Sequence, residues 1–208
     1  MQLSEYTEKK LTGDPRHLSF QLARYKFVAK MIRGLTNKSV IEFGCGDGIG
    51  SLLISQESSN YTGLDINAAS IKHASAAYGS ETRHFRATDA DFDRNFTHPG
   101  SAGLIFSLDV IEHLIPTQEK AFMEWAKSRL EPGGALIVGT PNADAARFQS
   151  PASAEAHINL HDHSTLLRLF HRHGFRPVFF FGMNDEVLHT GYERMCHYIL
   201  MLGVNTDC

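Results

Sequence analysis

The feature that most constrains this chain is a short apolar run that ends in alternating glycines. Residues 40–43 include the β-branched and aromatic side chains of a buried strand, and Gly44, Gly46 and Gly48 follow at every second position. Because glycine lacks a Cβ, the backbone there can adopt a positive φ and approach a ligand closely. Apolar residues at helical spacing follow from Ile49 onward. The pattern predicts a strand, a glycine turn and a helix whose free N–H groups face a bound nucleotide.

A second apolar run, residues 61–65, ends in a carboxylate. In a βαβ unit Asp65 lies at the tip of the neighbouring strand, where it can accept hydrogen bonds from both hydroxyls of a ribose. The dinucleotide fingerprint G-x-G-x-x-G is not matched, because Ile49 stands where its third glycine would be. The pattern Glu-x-Gly-x-Gly-x-Gly that starts at Glu42 instead resembles motif I of the class I S-adenosylmethionine-dependent methyltransferases, with Asp65 as the acid that follows.

This resemblance implies a Rossmann-like class I methyltransferase fold, an α/β architecture with a seven-stranded, mostly parallel sheet, helices on both faces and a short N-terminal helical cap. We expect residues 1–36 to form an N-terminal arm and cap helix, and residues 37–208 the S-adenosylmethionine-binding core. Within the first unit, the polar residues 1–16 predict a loose arm, and apolar spacing predicts a helix over 19–33. The resemblance assigns cofactor contacts near motif I to Glu42, Gly44, Cys45, Gly46, Asp65 and Ile66.

Three further cofactor contacts follow from the resemblance. Arg24 precedes the glycine turn by an interval similar to that in the ubiquinone-pathway O-methyltransferases, and a guanidinium can pair bidentately with the methionine carboxylate. Asp89, after the third predicted strand, matches the acid that accepts a hydrogen bond from the adenine amino group. Leu108, at the end of the fourth, would pack beside the cofactor. Alternatives stay open: Arg24 as a solvated surface residue, and Asp89 as a turn aspartate bonded to its own backbone.

The segment from Asp109 to His113 carries the candidate reaction chemistry. It resembles motif IV, in the acid-x-x-Glu-His form of the ubiquinone O-methyltransferases and the small-RNA 2′-O-methyltransferases. A helix starting at Asp109 would place Asp109, Glu112 and His113 on one face. Two carboxylates and an imidazole can bind a divalent cation, His113 alone can act as a general base, and a purely structural role is the third alternative. We favour the base over the metal, because metal-using relatives have a glutamate where this chain has Asp109.

Residues 143–163 are the least regular part of the sequence. An insertion after a strand at the carboxyl edge of the sheet is where α/β enzymes bind substrate, so His157 can pair with His113 as a base or complete a metal site. His161 is expected at the surface or in a helix cap. The segment 182–192 either lines the acceptor pocket or forms a surface hairpin.

These residues together predict the reaction. Attack of an acceptor atom on a sulfonium methyl group needs alignment and removal of a proton, and a base is most useful for a hydroxyl. We therefore predict O-methylation of a small polar acceptor with S-adenosylmethionine as cofactor and Glu112, His113 and His157 as catalytic residues. A divalent metal is a possible but not favoured cofactor, with unknown ligands. The alternatives are an RNA 2′-O-methyltransferase and a catalytically silent cofactor-binding partner protein; the acceptor and the oligomeric state are not readable.

Composition restricts the partners. A chain of 208 residues suits one α/β domain, and its net charge of -3 argues against a broad surface for nucleic acid or a membrane. The 3 cysteines show no metal or disulfide spacing, and the sequence has neither a signal-peptide pattern nor a membrane-spanning run. We expect a cytoplasmic protein with reduced thiols.

Overall fold

A computed structural model describes residues 3–89, 101–190 and 195–207. Its helices are α1 Glu5–Gly13, α2 Pro15–Ile32, α3 Ser51–Ile54, α4 Ala68–Tyr78, α5 Pro116–Arg129, α6 Pro151–Ala156 and α7 His163–Arg172. Its strands are β1 Ser39–Phe43, β2 Asn60–Asp65, β3 Arg83–Ala87, β4 Ala102–Leu108, β5 Leu130–Pro141, β6 Phe175–Asn184, β7 Val187–His189 and β8 Tyr198–Asn205. Two 3₁₀ turns span Ile111–His113 and Ala143–Phe148.

The strands in the described residues form one 8-stranded sheet in the order β3-β2-β1-β4-β5-β8-β6-β7. Strands β3, β2, β1, β4 and β5 are parallel, and β8 runs antiparallel between β5 and β6. The carboxyl ends of the parallel strands therefore meet at one edge. Since the chain order reverses between β1 and β4, a ligand crevice is expected outside the ends of these two strands.

The predicted Rossmann-like class I methyltransferase fold is confirmed, with one strand more than the seven expected. The extra strand arises because the chain folds back after β6, so that Gly182 pairs with His189 and Asn184 with Val187. Asp185 in the turn has a φ of 53°, the left-handed conformation that tight hairpins require. The described residues of segment 182–192 form a hairpin, residues 191 and 192 lie outside them, and a role of this segment in the acceptor pocket stays a prediction.

Helices cover both faces of the sheet. All residues of β4 are buried, as expected for a central parallel strand. On one face Tyr25 of α2 packs edge-on against Phe106, with ring centroids 6.1 Å apart. On the other, Phe122 and Trp125 of α5 pack against Phe43. No helix in the described part of the chain has the length and apolar character needed to cross a bilayer.

The N-terminal segment is helical, so the prediction of a loose arm is wrong. Ser4 caps α1 by accepting a hydrogen bond from the Thr7 N–H at 3.0 Å. The Ser4 and Thr7 hydroxyls also both donate to Oδ2 of Asp47 in the glycine turn, the Thr7 bond at 2.6 Å. The helix is thus anchored by a residue distant in sequence, which the polar composition of the segment does not reveal.

Candidate functional site

The turn after β1 has the backbone that its glycines predict. Gly44, Gly46 and Gly48 have φ values of 87°, 55° and 82°. A Cβ on Gly44 would lie 2.2 Å from Cγ2 of Val110, and one on Gly48 would lie 2.8 Å from Cβ of Ala74. Nothing lies within 4 Å of the corresponding position at Gly46, so the space beside it is open to a ligand. The helix predicted after this turn is present as α3, which is a single turn long.

Asp65 joins the end of β2 to this turn. Its Oδ2 accepts a hydrogen bond from the Gly46 N–H at 2.8 Å, and its Oδ1 accepts one from the Asn67 N–H at 2.8 Å. A carboxylate oxygen has two acceptor positions, so each oxygen keeps one for a ligand. The carboxylate predicted to bind a ribose is therefore positioned by the glycine turn itself.

The glycine turn and Asp65 line a cleft of about 930 Å³, which also touches α1, α2 and Asp109. A cleft of this size can hold a nucleoside-sized ligand. The predicted cofactor residues that line it are Gly44, Cys45, Gly46, Asp65 and Leu108. The predicted cofactor residues outside its lining are Arg24, Glu42, Ile66 and Asp89, of which Ile66 and Asp89 are exposed.

Glu42 lies buried beneath the turn. The Tyr25 hydroxyl donates to its Oε1 at 2.6 Å, and the Tyr61 hydroxyl donates to its Oε2. Burial raises the pKa of Glu42 to about 8, despite these two hydrogen bonds. In this structure the Glu42 carboxyl group thus links Tyr25 of α2 and Tyr61 of β2 at the end of β1, next to the glycine turn.

Arg24 of α2 forms an ion pair with Asp109, which lines the cleft. Nη1 of Arg24 lies 2.7 Å from Oδ1 and 2.5 Å from Oδ2 of Asp109, and the guanidinium carbon lies 3.7 Å from the centroid of the Tyr198 ring. With only 18% of its side chain exposed, Arg24 is not the solvated surface residue of the alternative reading. Its Nε is buried and has no hydrogen-bond partner among the residues that the structure describes.

The 3₁₀ turn that follows carries Glu112 and His113. Glu112 is fully buried; its Oε2 accepts a hydrogen bond from the Thr140 hydroxyl at 3.0 Å, and its Oε1 has no partner within the described part of the chain. Burial, and then the nearby charge of Asp109, raise the pKa of Glu112 to about 8. Nδ1 of His113 lies 3.0 Å from the carbonyl oxygen of Ala156. A carbonyl can only accept, so Nδ1 carries the proton and Nε2 is left as an acceptor.

His157 completes this cluster. Its ring centroid lies 5.1 Å from that of His113, and burial, followed by the neighbouring His113, lowers the pKa of His157. One potential ligand atom from each of Glu112, His113 and His157 lies within 4.8 Å of the others. Asp109 is not part of this group, and the expected helical face does not form, because Asp109 adopts a φ of 57° and pairs with Arg24.

The network that holds the His157 loop was not predicted. Oε2 of Glu119 accepts hydrogen bonds from Nδ2 of Asn159 and from Nε2 of His161, both at 2.6 Å. The Asn159 N–H donates to the Glu112 carbonyl oxygen at 3.0 Å. His161 is buried, so the surface position predicted for it is wrong. Since Glu119 lies on a different element, no local pattern signals the pairing.

Comparison with known proteins gives a consistent result. Residues 17–178 match the family model described as a methyltransferase domain. The chain is 31% identical over 106 residues to a probable S-adenosylmethionine-dependent methyltransferase of Mycolicibacterium smegmatis, covering 50% of this chain and 38% of that protein. It is 29% identical over 134 residues to the ubiquinone biosynthesis O-methyltransferase of Actinobacillus pleuropneumoniae, covering 62% of this chain and 56% of that protein. The chain thus spans about half the length, or less, of these curated relatives.

Solved structures of methyltransferases are similar to this chain over most of their length. The N-methyltransferase NodS of Bradyrhizobium japonicum, solved in complex with S-adenosyl-L-homocysteine, superposes with a TM-score of 0.66 at 18% identity. The superposition covers 95% of this chain and 91% of NodS. At this identity the likeness shows a shared fold.

Proposed function

Because the chain belongs to the methyltransferase-domain family, we propose that it transfers a methyl group from S-adenosylmethionine to a hydroxyl group of a small polar acceptor. One observation carries the proposal. A glycine-lined cleft with an acidic rim opens at the same sheet edge as a buried glutamate and two facing histidines. The first feature suits a nucleoside cofactor, and the second suits removal of a proton.

The cleft fits this cofactor. Gly46 leaves open space for it, Asp65 keeps acceptor positions for its ribose hydroxyls, and Leu108 offers an apolar wall. Arg24 pairs with Asp109 of the cleft wall, and from there its guanidinium would attract the methionine carboxylate. When bound, S-adenosylmethionine supplies a methyl group that is activated by a positively charged sulfur. The remaining work of the protein is alignment and proton removal.

His113 is the group best placed to accept the proton. Its Nδ1–H is held by the Ala156 carbonyl oxygen, so in the neutral ring the lone pair is on Nε2, and the ring centroid lies 5.1 Å from that of His157. Glu112 is a poor competitor, because a carboxyl group with a pKa of about 8 is mostly protonated at neutral pH. In this proposal Glu112 and His157 position His113 and the acceptor hydroxyl.

The test is a screen of hydroxylated small molecules for release of S-adenosylhomocysteine, followed by a His113→Ala variant. We expect unchanged affinity for S-adenosylmethionine and a fall in kcat of about 10²–10⁴-fold. The matched control is His171→Ala, which removes an exposed imidazole from α7. Unchanged transfer by His113→Ala would remove His113 from the mechanism.

A divalent metal is the second candidate for activating the acceptor. Glu112, His113 and His157 can each offer one ligand atom, and Glu and His are ligands that divalent metals accept. The fit is incomplete, because Arg24 holds Asp109 away and Glu112 would have to lose its proton. Full activity in a chelator rejects the metal. Loss of activity that added magnesium or manganese restores would replace the base with a metal.

The same screen separates the remaining alternatives. Transfer to RNA oligonucleotides with a free terminal 2′-hydroxyl, but to no small molecule, would establish the RNA 2′-O-methyltransferase. Tight binding of S-adenosylmethionine without transfer to either would establish a silent cofactor-binding partner. A cytoplasmic location stays a prediction; the two cysteines that the structure describes, Cys45 and Cys196, are both buried.

A further inference from the structure

A second cavity, of about 800 Å³, lies on the opposite face of α2 from the cofactor cleft. We call it the α2 groove; it is lined by Ser19, Leu22, Ala23, Lys26, Phe27, Lys30, Met31, Leu53, Phe181, Met183, Glu186 and Leu188. The cleft instead touches Gln21 and Tyr25 of α2, and the two cavities share no lining residue. With 3.6 residues per turn, the α2 residues that line the groove and those that line the cleft lie on opposite sides of the helix, so the groove is not an extension of the cleft.

The floor and walls of the α2 groove are apolar. The rings of Phe27 on α2 and Phe181 on β6 meet edge-on, with centroids 4.9 Å apart. Leu188 of the β6–β7 hairpin forms the outer wall and is 40% exposed. The apolar surface continues to Phe179, whose ring centroid lies 5.7 Å from that of Phe181 and which is 53% exposed. Apolar concave surfaces of this size are typical of ligand sites.

Charge is distributed unevenly along the groove. Lys26 and Lys30 lie one helical turn apart on its rim, both exposed, and neither forms an ion pair within the described residues. The nearby Glu57 is engaged by the Arg33 guanidinium. The carboxylate that lines the groove, Glu186, accepts a hydrogen bond from Ser19 at 2.8 Å. Ser19 lies about 16 Å from Lys30 along the helix axis, so the two ends of the groove differ in charge.

We propose that the α2 groove binds a soluble anionic amphiphile, with its single hydrocarbon chain along the apolar floor and its carboxylate, sulfate or phosphate head between Lys26 and Lys30. An ammonium group on a flexible stem suits an anionic head of any of these shapes. The concave shape of the groove and the position of both lysines at one end of it favour a small molecule over a membrane surface. A net charge of -3 also argues against a broad basic face that would bind an anionic membrane.

The test is calorimetric titration of the full chain with dodecanoate below its critical micelle concentration. We expect saturable binding of one molecule, with at least tenfold weaker binding of the dodecyl chain carrying a trimethylammonium or a maltoside head. A Lys26→Glu/Lys30→Glu variant should bind dodecanoate at least tenfold more weakly. The matched control, Lys72→Glu/Lys120→Glu, makes the same charge change at exposed positions on α4 and α5 and should bind normally. Leu188→Asp, at an exposed wall position, should abolish binding without disturbing the core.

Different results would contradict different parts of this proposal. Equal affinity of the two lysine variants, or equal affinity for the cationic amphiphile, rejects the head-group site, and no saturable binding rejects the groove as a ligand site. Sedimentation with anionic vesicles without binding of dodecanoate would assign the surface to a membrane. Self-association that Leu188→Asp abolishes would assign it to a second copy of the chain. Because the readout is binding away from the cleft, the outcome is independent of the methyl-transfer proposal.

Discussion

At the scale of single residues, two buried glutamates have the strongest influence on how the protein responds to pH. Glu42 beneath the glycine turn and Glu112 beside the histidines each have a pKa raised by burial to about 8, from an ordinary value of 4.5. Between pH 4.5 and pH 8 both carboxyl groups therefore keep their proton in the folded protein, whereas they have lost it in the unfolded chain.

The sign of the effect on stability follows directly. The contribution of the two protonated carboxyl groups to the stability of the fold is complete below pH 4.5, and it is lost as the pH rises towards 8. The free energy of unfolding should fall by up to about 1.4 kcal/mol per pH unit for each group over this range. Glu42→Gln mimics the protonated carboxyl group. It should reduce the slope of the free energy of unfolding against pH by the contribution of up to one proton, measured by urea unfolding at pH 5, 6, 7 and 8.

Glu155→Gln, an exposed carboxylate on α6, is the control for this slope. A Glu42→Gln variant with the same pH dependence as the parent would show that Glu42 is ionised in the folded protein, contrary to its burial.

The ion pair between Arg24 and Asp109 leads to a second prediction. If the guanidinium binds the methionine carboxylate, Arg24→Gln should weaken binding of S-adenosylmethionine about tenfold or more. Binding of 5′-methylthioadenosine, which lacks the amino-acid part, should not change. Isothermal titration of both ligands measures the difference, and Arg16→Gln at an exposed position is the control. Equal weakening for both ligands would mean that Arg24 acts only through the structure of the cleft.

Residues whose roles depend on local backbone were predictable from the sequence. Gly44, Gly46 and Asp65 lie at the carboxyl ends of neighbouring strands, and the order of parallel strands brings them together. The Arg24–Asp109 pair was not predictable, because it joins α2 to the end of β4 and depends on the left-handed conformation of Asp109. Aspartate adopts that conformation more readily than most residues, but the residue type alone does not show which aspartate does so.

At the scale of elements, the loop after α6 is held by hydrogen bonds to the Glu119 side chain and to neighbouring backbone groups. Glu119 of α5 joins Asn159 and His161, and the Asn159 N–H in turn bonds the Glu112 carbonyl oxygen. The Ala143 N–H donates to the His161 carbonyl oxygen at 2.9 Å. The loop that carries His157 is therefore attached at several points to the elements around His113.

Glu119→Gln should loosen this loop. The substitution removes a charged acceptor that two largely buried donors share, and we expect the free energy of unfolding to fall by about 1–3 kcal/mol. Hydrogen exchange measured by NMR should speed up at the amides of Asn159 and Ala143. Glu124→Gln is the matched control, because Glu124 lies on the same helix but is exposed and pairs with Lys120. Unchanged exchange at both amides would show that the loop is held by other contacts.

Element boundaries show what the sequence can and cannot predict. The spacing of Ile71, Ala74 and Tyr78 fits α4 because all three are buried on one face. The N-terminal helix α1 was missed, since its anchor, Asp47, lies in the glycine turn. Likewise β7 has three exposed residues with no alternating pattern, so only the pairing with β6 shows that it is a strand.

At the scale of the whole molecule, the sheet order explains why the candidate site lies where it does. The crevice between the ends of β1 and β4 receives the glycine turn from one side and the Asp109–His113 segment from the other. We predict a boundary between the N-terminal unit and the core at residues 36 and 37, and this boundary stays a prediction. The acceptor could not be predicted, because the segments around the site are irregular and follow no family pattern.

The central claim is that this cleft binds S-adenosylmethionine, and calorimetric titration tests it most directly. The purified protein should bind one S-adenosylmethionine with micromolar affinity and should not bind NAD. An Asp65→Ala variant should bind S-adenosylmethionine at least tenfold more weakly, because its ribose hydroxyls would lose their acceptor. Tighter binding of NAD, no detectable binding of S-adenosylmethionine, or full affinity in Asp65→Ala would contradict the account.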